Sequence, residues 1–192
     1  MRSILVWSWR LCRVLLPPIA AGVIAVTGSL LYLGPRLPSV DVLRDIRLQV
    51  PLRVYSRDGL LMGEFGEMRC TPVRFEQIPQ VLIQAMLAAE DDRFLSHHGV
   101  DFGGLTRAAW ELATTRSIQS GGSTITMQVA RNYFLSRDQT FVRKFNEILL
   151  ALQIERELDK QQILELYLNK IFLGYRAYGI EAAAQVYYGR PI

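Results

Sequence analysis

The chain has few of the residues on which metal centres and disulfide scaffolds depend. Its 192 residues include two cysteines, Cys12 and Cys70, and two histidines, His97 and His98. The sequence contains no CxxC pair and no HExxH motif. We therefore expect neither a disulfide framework nor a thiol nucleophile, and the usual spacings of zinc ligands are missing. Carboxylates and basic residues remain as the groups that could carry chemistry.

A strong excess of charge is also missing from most of the chain. The formal net charge is +4, but three of the 22 basic residues, Arg2, Arg10 and Arg13, precede an uncharged run at 14–34. Beyond that run, 19 basic residues accompany 18 acidic ones. This balance argues against a nucleic-acid partner.

The uncharged run VLLPPIAAGVIAVTGSLLYLG at 14–34 has the length of a membrane span. At about 1.5 Å per residue, a helix of this length just crosses a hydrocarbon core of about 30 Å. A cleaved signal peptide and a buried helix are the alternatives, but the apolar region of a signal peptide usually has only about 7 to 15 residues. Basic residues concentrate before the run, so we expect residues 1–13 in the cytoplasm and everything after the anchor outside.

The remainder predicts a mainly α domain with a short β-hairpin. Residues 35–51 are a proline-containing linker, and 52–75 contain alternating runs around Asp58-Gly59, a strong hairpin signal. From 76 to 192 the apolar period is helical. Asp159 and Gln162 form a plausible capping pair, and Gly174 is expected to end the helix that they open. The expected apolar faces are Val81, Leu82, Ala85 and Ala89 in one helix, and Phe141, Phe145, Ile148, Leu149 and Leu152 in another.

The stretch EDDRFLSHHGVDFGG, residues 90–104, concentrates acids and both histidines. Glu90 lies at the expected C-terminus of a helix, where the helix dipole and the following acids favour its protonation and make it a better proton acceptor. A metal site of His97, His98 and Asp101 is one alternative, although adjacent histidines point in different directions on most backbones. A solvated turn is the other alternative.

Two further stretches allow both a functional and an ordinary interpretation. In QSGGSTITMQVAR, the glycines before Ser123 and Thr124 could present free N–H groups to an anion, with Arg131 adding positive charge, or the stretch could be a plain helix cap. In TFVRKFNEILLA, Arg143, Lys144 and Glu147 share one side of a helix. Arg143 and Glu147 could simply form an exposed ion pair worth about 0.3 to 0.5 kcal/mol.

Taken together, these stretches resemble the peptidoglycan glycosyltransferase domain, the lysozyme-like module of class A penicillin-binding proteins and of monofunctional relatives. EDDRFLSHHGVD resembles the first motif of the family, and GGSTITMQVARNYFL resembles the second. RKFNE resembles the third motif, and KQQILELYLNKIFLG resembles the fourth. The hairpin further resembles a segment of the bifunctional class. The resemblance therefore implies a lysozyme-like fold over 76–192.

The resemblance implies a reaction in which lipid II is polymerised into β-1,4-linked glycan strands, with inversion and release of undecaprenyl pyrophosphate. Glu90 matches the catalytic base, and Glu147 matches a second carboxylate that assists the donor pyrophosphate, with Mg²⁺ or Mn²⁺ as a possible ion beside it. The matching substrate-binding residues are Asp91, Phe94, His97, Ser123, Thr124, Gln128, Arg131, Arg143 and Lys144.

The same resemblance implies a bacterial inner membrane protein with its domain in the periplasm. The implied partners are lipid II, the growing glycan chain and other cell wall synthesis proteins. The family has a lipid-facing mobile region between its first two motifs, where this chain has Phe102, Leu105, Trp110 and Ile118, although core packing would also explain these apolar residues.

Two features of the sequence depart from the family pattern. Met127 stands where the family usually has a glutamine, and the sequence stops at GRPI, before the fifth motif and the transpeptidase domain. We therefore expect the glycosyltransferase domain to be incomplete at its C-terminus. The alternatives to polymerisation are a lytic, glycan-cleaving enzyme with Glu90 as acid, and an inactive membrane-anchored binding fragment.

Overall fold

The computed structural model describes residues 37–45, 52–65, 69–115, 121–135 and 140–192, together with Pro17 and Gly28. The chain divides into two units, Met1–Pro38 and Ser39–Ile192, and the second contains the folded elements discussed below. The predicted anchor at 14–34 lies outside the described residues apart from those two positions. Within the described part of the chain, no helix is both long enough and apolar enough to cross a bilayer.

The predicted hairpin is confirmed. Strands β1 (Leu52–Tyr55) and β2 (Leu61–Phe65) pair antiparallel. The Ser56 carbonyl accepts from the Gly59 N–H at 3.0 Å. Gly59 has φ +79°, in the left-handed region that glycine adopts at little cost. The Asp-Gly pair therefore closes the turn as the sequence predicts.

Helices make up most of the second unit. A short strand β3 (Arg69–Cys70) precedes them, and it pairs parallel with β4 (Ala177–Tyr178). The helices are α1 (Gln80–Glu90), α2 (Phe102–Thr115), α3 (Ile125–Phe134), α4 (Phe141–Glu157), α5 (Lys160–Lys170) and α6 (Ile180–Tyr188).

The helix ends follow capping rules that the sequence partly reveals. The Asp159 carboxylate accepts from the Gln162 N–H at 2.8 Å, and the Gln162 amide oxygen accepts from the Asp159 N–H at 2.9 Å, so the predicted capping pair of α5 is confirmed. The predicted end of this helix was too late. Helix α5 ends at Lys170, and Gly174, with φ +90°, lies in the following turn.

Helix α3 is the centre of the core. Its residues Ile125, Met127, Val129 and Ala130 are fully buried, and the helix packs against both α4 and α5. The facing buried residues are Leu150, Ala151 and Ile154 of α4, and Ile163, Leu164, Tyr167 and Leu168 of α5. Met127 fills a cluster with Val100 and Ala151. Its position in a dry interior explains how an apolar side chain is accommodated there.

Two predicted apolar faces were wrong in detail. In α1, Ile83 is buried whereas Val81 remains 76% exposed. In α4, Leu150, Ala151 and Ile154 are fully buried, while the predicted Ile148 and Leu152 pack only at the margin of the core. Both helices are apolar over much of their circumference, so periodicity alone cannot select the stripe that faces the core.

Gly99 and Gly59 provide a matched test of how tightly the turn before α2 is packed. Both have positive φ, but a Cβ at Gly99 would lie 2.7 Å from the Ala151 carbonyl oxygen, whereas a Cβ at Gly59 would meet nothing within 4 Å. Gly59→Ala should cost about 1 kcal/mol of unfolding free energy from backbone strain. Gly99→Ala should cost about 1 to 3 kcal/mol more because of overpacking. Denaturant unfolding of both variants measures the difference, and equal costs would show that the turn yields freely.

Candidate active site

Glu90 is the last residue of α1, as predicted, and Asp91 is its C-cap. The Glu90 side chain is exposed, and its carboxylate accepts one hydrogen bond from Nε2 of Gln128 at 2.9 Å. Gln128 lies one turn into α3, so two helices meet at this carboxylate. An exposed carboxylate with a single side-chain donor keeps most of its oxygen lone pairs available to a substrate hydroxyl.

Asp91, the next residue, is buried and fully engaged. Its Oδ2 accepts from the Ile125 N–H at 3.0 Å, and its two oxygens lie 3.0 and 3.1 Å from Nε2 of His97. Ile125 opens α3, where free N–H groups and the helix dipole favour a carboxylate. Asp91 therefore fixes the end of α1 to the beginning of α3. These contacts hold the position of Glu90, and Asp91 is also among the residues that line the cleft described below.

Phe94 and His97 form the interior of the turn that follows. Phe94 is fully buried, and its ring packs edge to face with His97 at a centroid distance of 6.0 Å. Phe94 therefore supports the turn from inside. The resemblance places it among substrate-binding residues, but its burial allows only an indirect contribution.

The metal-site interpretation of this turn is not supported. His97 faces Asp91, His98 is exposed, and Asp101 instead contacts the Arg93 guanidinium. In the part of the chain that the structure describes, no group of three or more His, Cys, Asp or Glu side chains could hold a metal ion. Asp91 and His97 instead fix the turn, and Asp101 pairs with Arg93.

A cleft of about 230 Å³ opens beside Glu90. Asp92, Asp101 and Arg107 contribute to its walls, and Gly121–Gly122 with Ser123 and Thr124 form the opposite side. Sequence reasoning missed Arg107 as a cleft residue. In the sequence, Arg107 is distinguished only by being the single basic residue of α2.

Asp101 stabilises the beginning of α2. Burial by itself raises the pKa of Asp101, but hydrogen bonds from the backbone of Gly104 and the charge of Arg93 outweigh it, with a further hydrogen bond from Gly103. Together they hold the pKa below its ordinary value of 3.8. Gly104 is constrained in turn, since a Cβ there would lie 2.7 Å from a carboxylate oxygen of Asp101.

Thr124 is a helix cap, so the plain-cap interpretation of this residue is confirmed. Its hydroxyl accepts from the Met127 N–H at 3.2 Å and donates to the Gly99 carbonyl at 2.6 Å. Ser123 behaves differently, because its hydroxyl contacts Nζ of Lys144 on α4. Ser123 therefore connects the cleft with the cationic residues of the next helix.

Arg143, Lys144 and Glu147 form a buried cluster, so the interpretation as an exposed ion pair was wrong. Glu147 is 1% exposed. Nζ of Lys144 lies 3.2 Å from its Oε2, and Nε of Arg143 lies 3.2 Å from its Oε1. The two cations retain 36% and 20% side-chain exposure. One carboxylate thus holds two cations that partly face outward.

The surroundings of Glu147 do not fit a divalent ion. Each carboxylate oxygen already faces a cation, and a metal ion would add positive charge to this cluster. The residues favour Glu147 as a counter-ion that orients Arg143 and Lys144. An anion placed before those cations would be stabilised without a metal.

Glu90 and Arg131 both influence the Tyr167 hydroxyl. Burial raises the pKa of the Tyr167 hydroxyl well above its ordinary value, the charge of Glu90 raises it further, and Arg131 opposes the rise. Tyr167 is fully buried in α5, and Arg131 is half-buried in the last turn of α3. The opposing influences of Glu90 and Arg131 on one hydroxyl indicate that they share its neighbourhood.

The apolar residues of α2 divide between surface and core. Phe102 and Trp110 are 68% and 72% exposed, so core packing does not explain them. Leu105 packs against the cluster of Val100, Met127 and Ala151. Ile118 lies outside the described residues.

Comparison with known proteins gives consistent matches. The sequence profile of the family described as transglycosylase matches residues 58–192. Penicillin-binding protein 1A of Pseudomonas aeruginosa is 60% identical over 98% of this chain and 23% of that protein. The Escherichia coli protein of the same name is 50% identical over 91% of this chain and 20% of that protein. The chain therefore spans about a fifth of the length of these relatives.

A crystal structure of penicillin-binding protein 1A from Haemophilus influenzae also matches. It has 27% sequence identity over 76% of this chain and 12% of that one, with a TM-score of 0.29. A similarity of that extent does not establish a common fold.

The depressed pKa of Asp101 predicts a pH-dependent contribution to stability. Because the folded-state pKa lies below the ordinary 3.8, the carboxylate stabilises the protein at neutral pH, and this contribution is lost as the pH falls through the folded value. Asp101→Asn should therefore lower the unfolding free energy at neutral pH and differ less from wild type in acid. Denaturant unfolding at neutral and at acidic pH measures this difference in stability. Asp58→Asn, in the exposed hairpin turn, is the control. A difference that persisted in acid would contradict the electrostatic origin.

Proposed function

The chain belongs to the transglycosylase family, as its four motifs predict, and we propose that it polymerises lipid II into β-1,4-linked glycan strands of peptidoglycan. The released product is undecaprenyl pyrophosphate. The observation that carries this proposal is the contrast between an exposed Glu90 in the cleft and a buried Glu147 that holds two cations. Such a pair suits a reaction that needs a base at the attacking hydroxyl and positive charge at the departing pyrophosphate.

Glu90 acts as the general base. It takes the proton from the 4-hydroxyl of the acceptor GlcNAc as that oxygen attacks the anomeric carbon of the donor MurNAc. The bond from that carbon to the pyrophosphate oxygen breaks, and attack from the opposite face inverts the configuration. Gln128, which donates to Glu90, orients the carboxylate and leaves its other oxygen free for the substrate.

Arg143 and Lys144 stabilise the negative charge that develops on the departing pyrophosphate. Glu147 keeps both cations in place, and Ser123 fixes Lys144 towards the cleft. Preorganised cations stabilise developing negative charge without reorganising during the reaction. Arg131 adds a further positive charge, which acts on the Tyr167 hydroxyl as Glu90 does. No step requires a metal ion.

The proposed setting is the outer face of the bacterial inner membrane, with residues 14–34 as a single-pass anchor and a lysozyme-like domain in the periplasm. The exposed Phe102 and Trp110 of α2 support contact of this helix with lipid, because aromatic side chains favour the membrane interface. A substrate with a polyprenyl tail would then reach the cleft without leaving the bilayer.

Glu90→Gln should reduce polymerisation of lipid II by at least about 100-fold while the fold is retained, because the amide cannot accept the proton. Glu157→Gln is the matched control, since Glu157 is likewise an exposed glutamate that ends a helix. Glycan chains are measured by gel separation of labelled products, with finished peptidoglycan incubated in parallel. Consumption of peptidoglycan instead of lipid II would identify a lytic enzyme. Equal behaviour of wild type and Glu90→Gln would indicate a binding module.

Glu147→Gln should lower the rate of polymerisation, because Arg143 and Lys144 would no longer be held in place. The amide removes the negative charge shared by Arg143 and Lys144. Because both cations stay partly exposed, the unfolding free energy should fall by about 1.5 to 3 kcal/mol. We expect the loss of polymerisation activity to be smaller and less consistent than the loss in Glu90→Gln. Rate and unfolding free energy measured together check this, and an unchanged rate with unchanged stability would contradict the assigned role.

A further inference from the structure

Lys160, the first residue of α5, reaches the inner side of the turn that follows Glu90. Its Nζ donates to the His97 carbonyl oxygen at 2.7 Å and lies 4.3 Å from the centroid of the Phe94 ring. A cation over an aromatic face is attracted by the ring electrons, most strongly where water is excluded. Lys160 therefore contacts the turn at two points, and neither Lys160 nor the two residues that it contacts are among those lining the cleft.

Glu155 of α4 holds the Lys160 ammonium in this place. Its Oε1 accepts from Nζ at 2.7 Å and also from the Thr126 hydroxyl at 2.7 Å. The Glu155 side chain is 6% exposed, and Thr126 of α3 is fully buried. A buried ion pair is favourable only when further hydrogen bonds satisfy its members, as they do here.

The pair is linked to Glu90 by a short series of contacts. Lys160 holds the carbonyl of His97, and the His97 ring meets Asp91, which directly follows Glu90 in the chain. Within the turn itself, the Phe94 N–H donates to the Asp91 carbonyl and the Ser96 N–H donates to the Arg93 carbonyl. Contacts from outside the turn therefore contribute much of its fixation.

We propose that Lys160, paired with Glu155, is a positioning residue for the proposed glycosyl transfer. The pair fixes the 91–98 turn, and through Asp91 it sets the direction of the Glu90 carboxylate. Lys160 does not itself contact the substrate, because its contacts lie behind the turn, with Phe94 and His97. This inference rests on the proposed function of Glu90 and extends it to residues on α4 and α5.

Positioning predicts a particular kinetic signature. The cationic residues that receive the pyrophosphate lie on another part of α4, so substrate binding should change little when the pair is removed. The Glu90 carboxylate should be less well aligned in the transition state, and small misplacements of reacting groups lower the rate strongly. A fall in kcat with little change in KM is the expected result.

The test uses the double variant Lys160→Met with Glu155→Gln in the full chain. Changing both residues avoids leaving one buried charge without its partner. The amide oxygen of glutamine can still accept from the Thr126 hydroxyl. The matched control is Arg44→Met with Glu157→Gln. It removes an exposed ion pair, with an N–O distance of 2.8 Å, whose glutamate lies two residues after Glu155 in α4.

Two measurements are made on wild type and both double variants at a temperature where all three are folded. Steady-state polymerisation of lipid II should show kcat lower by about 10- to 100-fold in the site variant, with KM close to that of the control. Hydrogen exchange of the amides at 91–98 should be faster in the site variant alone. A kcat equal to that of the control, or a loss entirely in KM, would overturn the proposal.

Failure of the proposed function can be told apart from failure of this inference. If wild type does not consume lipid II, the function is wrong, and hydrogen exchange alone decides whether the pair fixes the turn. Faster exchange only in the site variant then retains the structural role. Equal exchange in both double variants rejects it.

Discussion

The burial of the Asp91 carboxylate is the constraint on which the site depends. A carboxylate removed from water is stable only if donors surround it, and here the donors come from the first turn of α3 and from His97. Meeting this requirement brings the end of α1, the following turn and the beginning of α3 together. Glu90, one residue earlier, is thereby placed at the rim of the cleft without being buried itself.

Two glutamates of the site occupy opposite environments, and the two roles proposed for them follow from this difference. Glu90 is exposed and lightly held, which suits a group that must exchange a proton with a bound hydroxyl. Glu147 is 1% exposed between two cations, which suits a counter-ion. Ser123 links the two regions through Lys144. Helix α1 therefore supplies the exposed carboxylate, and α4 supplies the cationic cluster.

The segment before α1 is joined to the helical domain by a few strong polar contacts. The Asn169 side chain accepts from the Val73 N–H at 2.9 Å and donates to the Val73 carbonyl at 2.8 Å. The Glu165 carboxylate accepts from the Phe75 N–H at 2.8 Å. Both side chains come from α5, the helix that also begins with Lys160. One helix thus anchors the preceding segment and supports the turn beside Glu90.

The sequence by itself determined the hairpin, the positions of most helices, the capping pair of α5 and the location of Glu90 at a helix end. These features depend on turn residues, apolar period and local hydrogen bonds, which neighbouring residues encode. The exposure of Glu147, the buried stripe of α1 and the roles of Arg107, Glu155 and Lys160 could not be predicted in the same way. Each depends on contacts between residues far apart in the chain: Lys160 meets His97 across 63 positions, and Asp91 meets Ile125 across 34. Only tertiary packing decides which charged side chains are buried and desolvated. Desolvation distinguishes the ion pairs of this site from ordinary surface pairs.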